Sequence, residues 1–458
     1  MASEPTVAVS SPTYEPLRRR YFNSRVPNVK PAEIHCPRTT AEVAAIIKSA
    51  RARNLKVGVR SGGHSFSCLS LVEDGLLIDT SQLNSEISYD SATKVVSFSP
   101  GRTVQDLASY MTSLARFFPF GHARKVGTGG FYLAGGQGCF LRGWGYTCDQ
   151  WVTQIEVVVP SGDVVIASAT QNADLYWAAP GSGVGFFGVV TRIWGRTLPA
   201  KKLFDTTLVF DVTDVFKPLL KWFFLTADRV PKYGSDLMFV TFYADKDTPD
   251  LGDESRAKRI MAAINQTIWA DSLGEAEILA SLWDAVPEEF QRVLAERVPL
   301  AERTWEFIWK VQDSFQPSGK GTRYRVIGAV TPAVYELPTR RATGNICPLG
   351  DYYPDEADHC LSLPQKCTVT TITCYQDASR DAAVDQWTAA AYREAEKVAI
   401  GQYVADYDPT QRQAKIMSDT ALRKWLGIRS KWDPEDMFVG YRAFEKQLSE
   451  DVPMPKGV

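Results

Sequence analysis

The sequence predicts a protein of mixed helices and strands, in the α+β or α/β class, made of two cooperating units. Its first ~200 residues alternate amphipathic helical patterns with short strand patterns, as such folds do. Beyond the stretch at residues 198–202 the pattern changes to strand-like runs separated by helical ones. A chain of 458 residues with 45% apolar residues is long enough to bury two large cores.

The N-terminal elements are predicted from capping residues and periodicity. Thr39 and Glu42 form a capping-box pattern ahead of an apolar helix face that runs to Ala50. Thr103 and Asp106 begin a second helix in the same way. Apolar runs predict strands at residues 56–60, 75–79 and 95–99, and a hairpin made of residues 152–159 and 164–167.

The second half of the chain predicts strands at residues 237–243, 324–330 and 368–375 and helices at 219–225, 255–267, 381–399 and 419–426. Residues 339–365 are rich in Pro, Gly, Asp and Tyr, which predicts a long loop at the substrate entrance. Aromatic residues in this half predict a largely apolar substrate site; they are Trp222, Phe239, Phe242, Tyr243 and Tyr375. Aromatic rings also stack on sugars, so a sugar substrate stays open.

Charge and cysteine content exclude several classes of function. A net charge of −2 with dispersed basic residues gives no sign of a nucleic-acid or anionic-membrane partner. No stretch has the apolar length needed to span a bilayer, and the N-terminus lacks the features of a signal peptide. We therefore expect an intracellular, cytoplasmic protein. Eight irregularly spaced cysteines form no zinc pattern, so we expect no metal site.

The strongest local signal is the run Arg60-Ser61-Gly62-Gly63-His64-Ser65, directly after a predicted strand. Two adjacent glycines let backbone N–H groups turn toward an anion. A histidine in such a turn does not pack into a core. We therefore expect His64 to face whatever this loop binds.

A second glycine-rich segment strengthens this interpretation. Residues 121–145 hold nine glycines, a density that costs conformational entropy on folding. Interleaved large residues such as Phe131 and Trp144 are not typical of a flexible linker. The segment instead predicts backbone that lies against a flat or phosphorylated ligand.

Four motifs occur in a fixed order along the chain, at residues 59–65, 126–130 with 135–138, 174–177 with 185–191, and 431–438. Together they resemble the vanillyl-alcohol-oxidase/PCMH superfamily of flavoproteins, and more narrowly the berberine-bridge-enzyme-like oxidases. The resemblance implies an α+β fold: a two-part PCMH-type FAD-binding domain and a substrate domain with an antiparallel sheet backed by helices. It implies an N-terminal extension at residues 1–29, the FAD domain at 30–204, the substrate-binding domain at 205–400, and a C-terminal segment at 401–458 that returns to the FAD domain.

The same resemblance implies FAD bonded through a single 8α-histidyl link to His64, since a neutral imidazole nitrogen is a competent nucleophile. A histidine that only hydrogen-bonds the flavin is the alternative. Many relatives add a second bond from a cysteine, but Ala123 occupies that position here. Further FAD contacts are implied for Arg60, Ser61, Gly62, Gly63, Ser65, Val126, Gly127, Thr128, Gly130, Gly135, Gly136, Gly138, Gly188 and Val190.

Four nearby residues have no assigned contact with a substrate. His122 reaches the flavin or substrate, or belongs to a surface loop, while Cys139 and Cys148 are interpreted as packing residues. Val126 occupies the position that controls oxygen access in the family, where valine accompanies oxidases. Ordinary packing is the alternative for Val126.

Hydride transfer to flavin needs a base that takes the substrate's acidic proton. The family often uses a tyrosine, and the resemblance assigns this role here to Tyr407, with Tyr403 second. A free tyrosine ionises near pH 10, so this role needs a stabilised phenolate. An ordinary buried tyrosine is the competing interpretation.

The predicted function is FAD-dependent oxidation of a small organic molecule, such as a secondary metabolite, with reoxidation by O2 to give H2O2. Two other functions stay open. One is a redox-neutral cyclase that uses flavin as a scaffold. The other is a non-catalytic flavin-binding protein. Substrate identity and oligomeric state are not fixed by the sequence.

Overall fold

The computed structural model describes residues 6–245, 259–317, 321–328, 335–412 and 414–439. Its strands are β1 Thr6–Ala8, β2 Glu33–His35, β3 Val57–Arg60, β4 Leu76–Asp79, β5 Ser88–Asp90, β6 Val95–Phe98, β7 Arg116–Phe117, β8 Val152–Val158, β9 Val164–Ser168, β10 Val189–Arg196, β11 Leu198–Pro199, β12 Lys202–Asp211, β13 Ser235–Tyr243, β14 Ile260–Ala270, β15 Leu294–Arg303, β16 Arg323–Gly328, β17 Thr343–Tyr352 and β18 Gln365–Tyr375.

The helices are α1 Tyr14–Arg18, α2 Thr40–Ala52, α3 Val104–Ser113, α4 Thr128–Leu133, α5 Leu141–Trp144, α6 Thr147–Gln150, α7 Ala173–Ala178, α8 Phe216–Ala227, α9 Leu273–Ala280, α10 Glu288–Gln291, α11 Trp305–Phe315, α12 Asp381–Ala395 and α13 Asp419–Trp432. No helix within the described ranges is both long enough and apolar enough to cross a bilayer. Mixed helices and largely antiparallel sheets confirm the predicted α+β class.

The two N-terminal helices begin at the predicted caps. The Thr103 hydroxyl accepts a hydrogen bond from the Asp106 backbone N–H at 3.2 Å, and the Asp106 carboxylate accepts one from the Thr103 N–H at 2.9 Å. The Thr39 hydroxyl likewise caps α2 by accepting from the Glu42 N–H at 3.2 Å. The Glu42 carboxylate, however, accepts from the N–H of Arg38, one residue before the cap. The capping box of α3 is therefore complete, whereas in α2 the Glu42 carboxylate bonds the residue before the cap instead of the cap itself.

Two larger sheets and a two-stranded one form the N-terminal part of the described chain. Strands pair in the order β1-β2-β4-β3 in the first sheet and β5-β6-β10-β8-β9 in the second, and β11 pairs with β7 in the third. The predicted hairpin is present as β8 and β9. The end of the described chain packs here too, because Trp425 of α13 is fully buried and its indole N–H donates to the Ser182 hydroxyl at 2.6 Å. The Val57 N–H then donates to the Met437 carbonyl at 2.9 Å.

The larger sheet has the order β15-β12-β14-β13-β17-β18-β16 over the described residues, and all of its neighbouring strands are antiparallel. Helix α8 covers one face through an apolar cluster that includes Phe223 and Phe239. The opposite face is turned toward the N-terminal sheets. The predicted strands at residues 237–243 and 368–375 and the helix at 419–426 are confirmed as parts of β13, β18 and α13. The predicted strand at residues 324–330 is present as β16 over residues 324–328, and residues 329–330 lie outside the described residues.

Two predictions in this half are wrong. Residues 260–270 form β14 rather than a helix, and residues 255–258 of the predicted helix lie outside the described residues. The alanines of this run suit a helix. However, β14 lies between β12 and β13 and is buried on both faces, so its apolar residues do not alternate with polar ones. The alternation that would have predicted a strand is therefore missing. The predicted loop at 339–365 contains β17. Pro348 is accommodated in β17 because β13 pairs only with residues 344–346, and the register with β18 shifts after Pro348.

Candidate functional site

A cavity of about 320 Å³ lies between the N-terminal sheets and the large antiparallel sheet. Its walls come from the loop after β3, the segment before and within α4, the turn before β10, and residues 403–407. The large sheet contributes Ile372, and Gln312 and Gln316 come from α11 and the residue that follows it. Segments from the N-terminal sheets, from the large sheet with α11, and from residues 403–407 therefore meet around one cavity.

The loop after β3 is fixed by a buried ion pair. The Arg60 guanidinium donates to the Asp79 carboxylate at 2.6 and 2.9 Å and to the carbonyls of Leu17 and Arg18. Arg20 donates to the same carboxylate. Arg60 touches the cavity, but its charged head is already saturated by protein groups. The guanidinium therefore holds the loop through protein groups, and the predicted contact between Arg60 and FAD stays a prediction.

Glycines at two places let the two glycine-rich segments touch backbone to backbone. A Cβ on Gly62 would lie 2.6 Å from the Gly127 nitrogen, and a Cβ on Gly127 would lie 2.3 Å from the Gly62 nitrogen. Both distances are too short for any side chain. Gly130 differs, because a Cβ there meets no protein atom within 4 Å. Gly130 borders the open cavity.

His64 lies on the cavity wall, where the sequence predicts it. Its ring stacks on Phe22 with centroids 4.1 Å apart and meets Phe66 edge-on. Burial lowers the pKa of His64 to about 4. The imidazole is therefore neutral at neutral pH, which is the form that attacks an electrophile.

Most of the predicted cofactor residues line the cavity: Ser61, Gly62, Gly63, His64, Ser65, Val126, Gly127, Gly130, Gly188 and Val190. Four others do not: Thr128, Gly135, Gly136 and Gly138. The Thr128 hydroxyl donates to the Ser99 carbonyl in the interior. Gly135 and Gly136 have φ of +98° and +82°, and Gly138 packs against the Phe120 carbonyl. Folding requires these three glycines, so they need no ligand to explain them.

Tyr403 and Tyr407, the predicted bases, both line the cavity. Burial, followed by the nearby Asp408 carboxylate, raises the pKa of Tyr407 to about 12. The Tyr403 hydroxyl accepts a hydrogen bond from the Gln137 backbone N–H at 3.3 Å, and burial raises its pKa above the usual value. Both phenols therefore stay protonated near neutral pH, which makes them donors rather than bases.

Asp406 is a site residue that sequence reasoning missed. It also lines the cavity, and burial raises its pKa to about 7. A carboxyl group with this pKa changes charge at the pH where general bases work best. The sequence analysis assigned no role to Asp406. Its adjacency to Tyr407 was the one available signal.

The face of the large sheet that is turned toward the cavity carries both polar and apolar residues, and Ile372 of β18 lines the cavity. Cross-strand register places on this face the polar residues Asp205, Thr207, Asp236, Asn265, Thr267, Asn345, Thr368 and Thr370 and the apolar residues Leu203, Val209, Met238, Val240, Met261, Ala263 and Trp269. The Gln137 side-chain amide, from the opposite wall, donates to Thr368 at 3.0 Å.

The predicted aromatic lining is wrong, because none of the five aromatic residues lines the cavity. Trp222, Phe239 and Tyr243 pack in the core beneath α8, on the other side of the sheet. Phe242 packs on Phe315, and the Tyr375 hydroxyl donates to Asp381. The sequence could not show which sheet face each aromatic residue occupies.

Comparisons with known proteins agree with this geometry. Residues 31–168 match the family model described as an FAD binding domain. The chain is 29% identical over 442 residues to the FAD-linked oxidoreductase janO of Penicillium janthinellum, which covers 92% of this chain and 93% of that protein. It is 34% identical over 186 residues to a carbohydrate oxidase of Microdochium nivale, covering 40% and 37% of the two chains. The structure of Physcomitrella patens BBE-like 1 superimposes with a TM-score of 0.77 at 19% identity over 96% of each chain, which shows the fold.

Two alanine substitutions test whether the cofactor fills the space beside Gly130. Gly127→Ala is expected to lower the melting temperature of the apoprotein, because its Cβ collides with the Gly62 backbone. Gly130→Ala is expected to leave that temperature unchanged, since no protein atom outside its own helix lies within 4 Å of the added Cβ, and to reduce FAD loading if the predicted FAD contact is made here. Calorimetry of both apoproteins and absorbance of the loaded proteins measure these effects. Full FAD loading of the Gly130 variant would contradict this placement.

Proposed function

We propose that this chain, which resembles the berberine-bridge-enzyme-like oxidoreductases with a PCMH-type FAD-binding domain, oxidises an alcohol group of a hydroxylated small molecule and delivers the electrons to O2. FAD-dependent oxidation of an organic substrate is the established part. The observation that carries the proposal is the position of Asp406, a carboxyl group with a pKa of about 7, on the same cavity as the two glycine segments.

We propose that FAD binding and substrate binding belong to different parts of the chain. Residues 30–204, with the returning segment 401–458, hold FAD, and residues 205–400 cover it and contact the substrate; residues 1–29 are an extension. FAD supplies an acceptor for a hydride when it is bound. The open space beside Gly130 admits it, while Gly62 and Gly127 join the two glycine-rich segments that border the cavity, and the neutral imidazole of His64 forms its single covalent link.

Asp406 is the proposed base in place of Tyr407. Oxidation of an alcohol to a carbonyl removes a hydride from carbon and a proton from oxygen, and the Asp406 carboxylate accepts that proton. Tyr407 keeps its own proton and donates a hydrogen bond to the substrate oxygen, which holds the hydroxyl group beside Asp406. Polar side chains on the cavity-facing side of the large sheet, among them Asn345 and Thr370, offer hydrogen-bond partners to a hydroxylated substrate, either a secondary metabolite or a sugar.

Val126 supports O2 as the electron acceptor. It lines the cavity and is only partly buried, and its short side chain leaves space that a larger residue would fill. This matches the expectation drawn from its motif. Hydrogen peroxide is then the second product.

An anaerobic screen tests the proposed function. The loaded protein is mixed with sugars and hydroxylated polycyclic compounds, and the flavin absorbance is followed. At least one alcohol is expected to bleach the flavin, and admitting air should restore the colour with release of peroxide. Reduction by dithionite but by no alcohol would contradict the proposal. Product formed without bleaching would identify a redox-neutral cyclase instead.

A further inference from the structure

A histidine–aspartate pair joins two walls of the cavity. His122 lies in the segment before α4 and lines the cavity, while Asp236 projects from β13 of the large sheet. The His122 Nε2 lies 2.7 Å from the Asp236 Oδ2. The same carboxylate oxygen accepts from the Phe140 N–H at 3.2 Å. Residues 114 positions apart in the chain therefore form one hydrogen-bonded unit.

The second histidine–aspartate pair of the molecule provides a contrast. His359 bonds Asp149 through Nε2 at 2.8 Å and the Leu361 carbonyl through Nδ1 at 3.0 Å. Both of its ring nitrogens are used, its side chain is 3% exposed, and it does not line the cavity. His122 keeps 29% of its side chain exposed, and its Nδ1 has no hydrogen-bond partner among the described residues. The His359–Asp149 pair therefore uses both ring nitrogens inside the protein, whereas the His122–Asp236 pair leaves Nδ1 of His122 able to bind a ligand.

The surroundings of His122 favour its protonated form. Burial lowers the pKa of His122, but attraction and hydrogen bonding to Asp236 outweigh burial and raise the pKa above the usual value. Other ionisable groups near Asp236 are Arg142 and the thiols of Cys139 and Cys347. Arg124, two residues along, is paired with Glu306 and Asp313 of α11. Burial holds the pKa of Cys139 well above its usual value, so this thiol adds no charge.

We propose that His122, held by Asp236, binds an oxygen atom of the substrate by donating a hydrogen bond from Nδ1. This inference rests on the proposed oxidation, because it concerns the same cavity. Asp236 accepts from Nε2, and the protonated ring then carries its second N–H at Nδ1, which is the donor to the substrate. A neutral ring held in the same way presents Nδ1 as an acceptor, so the proposed hydrogen bond forms only while His122 is protonated. His122 is thus a substrate-binding residue, distinct from the base Asp406.

Histidine NMR tests the pair without any substrate. The chain has four histidines, so each ring in the FAD-loaded protein can be assigned by substitution. His122 is expected to titrate above pH 6.5, and its midpoint should fall by about one unit or more in Asp236→Asn. Acetate, a small oxygen acceptor, should shift the His122 Nδ1 resonance below that midpoint and leave His359 unchanged. A His122 that ignores acetate, or that titrates identically in the Asp236 variant, would overturn the proposal.

Kinetics test the same assignment with the alcohol that bleaches the flavin fastest. His122→Phe should raise KM about tenfold or more, with kcat within about threefold, as expected for a lost charged hydrogen bond. The wild-type KM should rise as pH increases through the His122 midpoint, and this dependence should vanish in the variant. A drop in kcat with KM unchanged would contradict a binding role.

Cys139→Ser is the matched control. Cys139 Sγ lies within 4.8 Å of ligand atoms of both His122 and Asp236, so these three residues are also a candidate metal group. The serine variant should keep the wild-type KM and pH dependence. Bound metal that is lost with Cys139, together with a raised KM, would replace the hydrogen-bonding proposal. If no alcohol reduces the wild type, the proposed function fails, while the acetate titration still decides the role of His122.

Discussion

His64→Ala is expected to lose all covalently bound flavin. The wild-type protein should stay yellow after acid precipitation, whereas the variant should release its flavin into the supernatant. The physical reason is that burial keeps the His64 imidazole neutral and nucleophilic on the cavity wall, and alanine offers no nucleophile. Absorbance of the pellet and supernatant measures the effect.

The structure offers a matched control for this loss. His122→Phe removes the other histidine that lines the cavity and should leave the precipitated pellet yellow. Ala123, the neighbour of His122, provides no second attachment point. Flavin that washes out of the wild type, or that stays bound in the His64 variant, would contradict attachment through His64.

Asp406→Asn is expected to slow flavin reduction by about a hundredfold or more, because the amide cannot accept the substrate's proton. In the wild type the rate should rise with pH and level off above about 7, since burial raises the Asp406 pKa to about 7 and only the carboxylate accepts a proton. The variant should lose this rise. Stopped-flow reduction between pH 5 and 9 measures both effects.

Two neighbouring variants separate Asp406 from its surroundings. Asp408 is paired with Arg325 at 2.9 Å and does not line the main cavity. Asp408→Asn should therefore keep the rise near pH 7. Tyr407→Phe should lower the rate by about tenfold at most, as expected for a lost hydrogen bond. If the Asp406 variant retains the wild-type pH profile, the base lies elsewhere.

Local sequence signals predicted the loop that carries His64. Its glycines and histidine are adjacent in the chain, so the motif is visible in the residues themselves, although the close contact that requires glycine at position 62 is with the distant Gly127. The capped helix α3 was predictable for the same reason, since both members of its capping box lie within four residues. Such features depend on neighbours along the chain.

Features that depend on distant pairing were missed. The strand β14 lacks alternation because neighbours cover both of its faces. Asp236 acquires a role only when β13 is brought against His122, and Asp406 acquires its pKa only through burial in the assembled cavity. The glycines at positions 135, 136 and 138 show that glycine density alone does not identify ligand contacts, because tight turns and packing also require glycine there, and their FAD contacts stay a prediction.

Mass spectrometry of the intact, denatured wild-type protein tests the central claim most directly. We predict that the mass exceeds that of the polypeptide by one FAD, and that fragmentation places the addition on His64. A protein that carries the mass of the bare polypeptide after saturation with FAD would contradict the account.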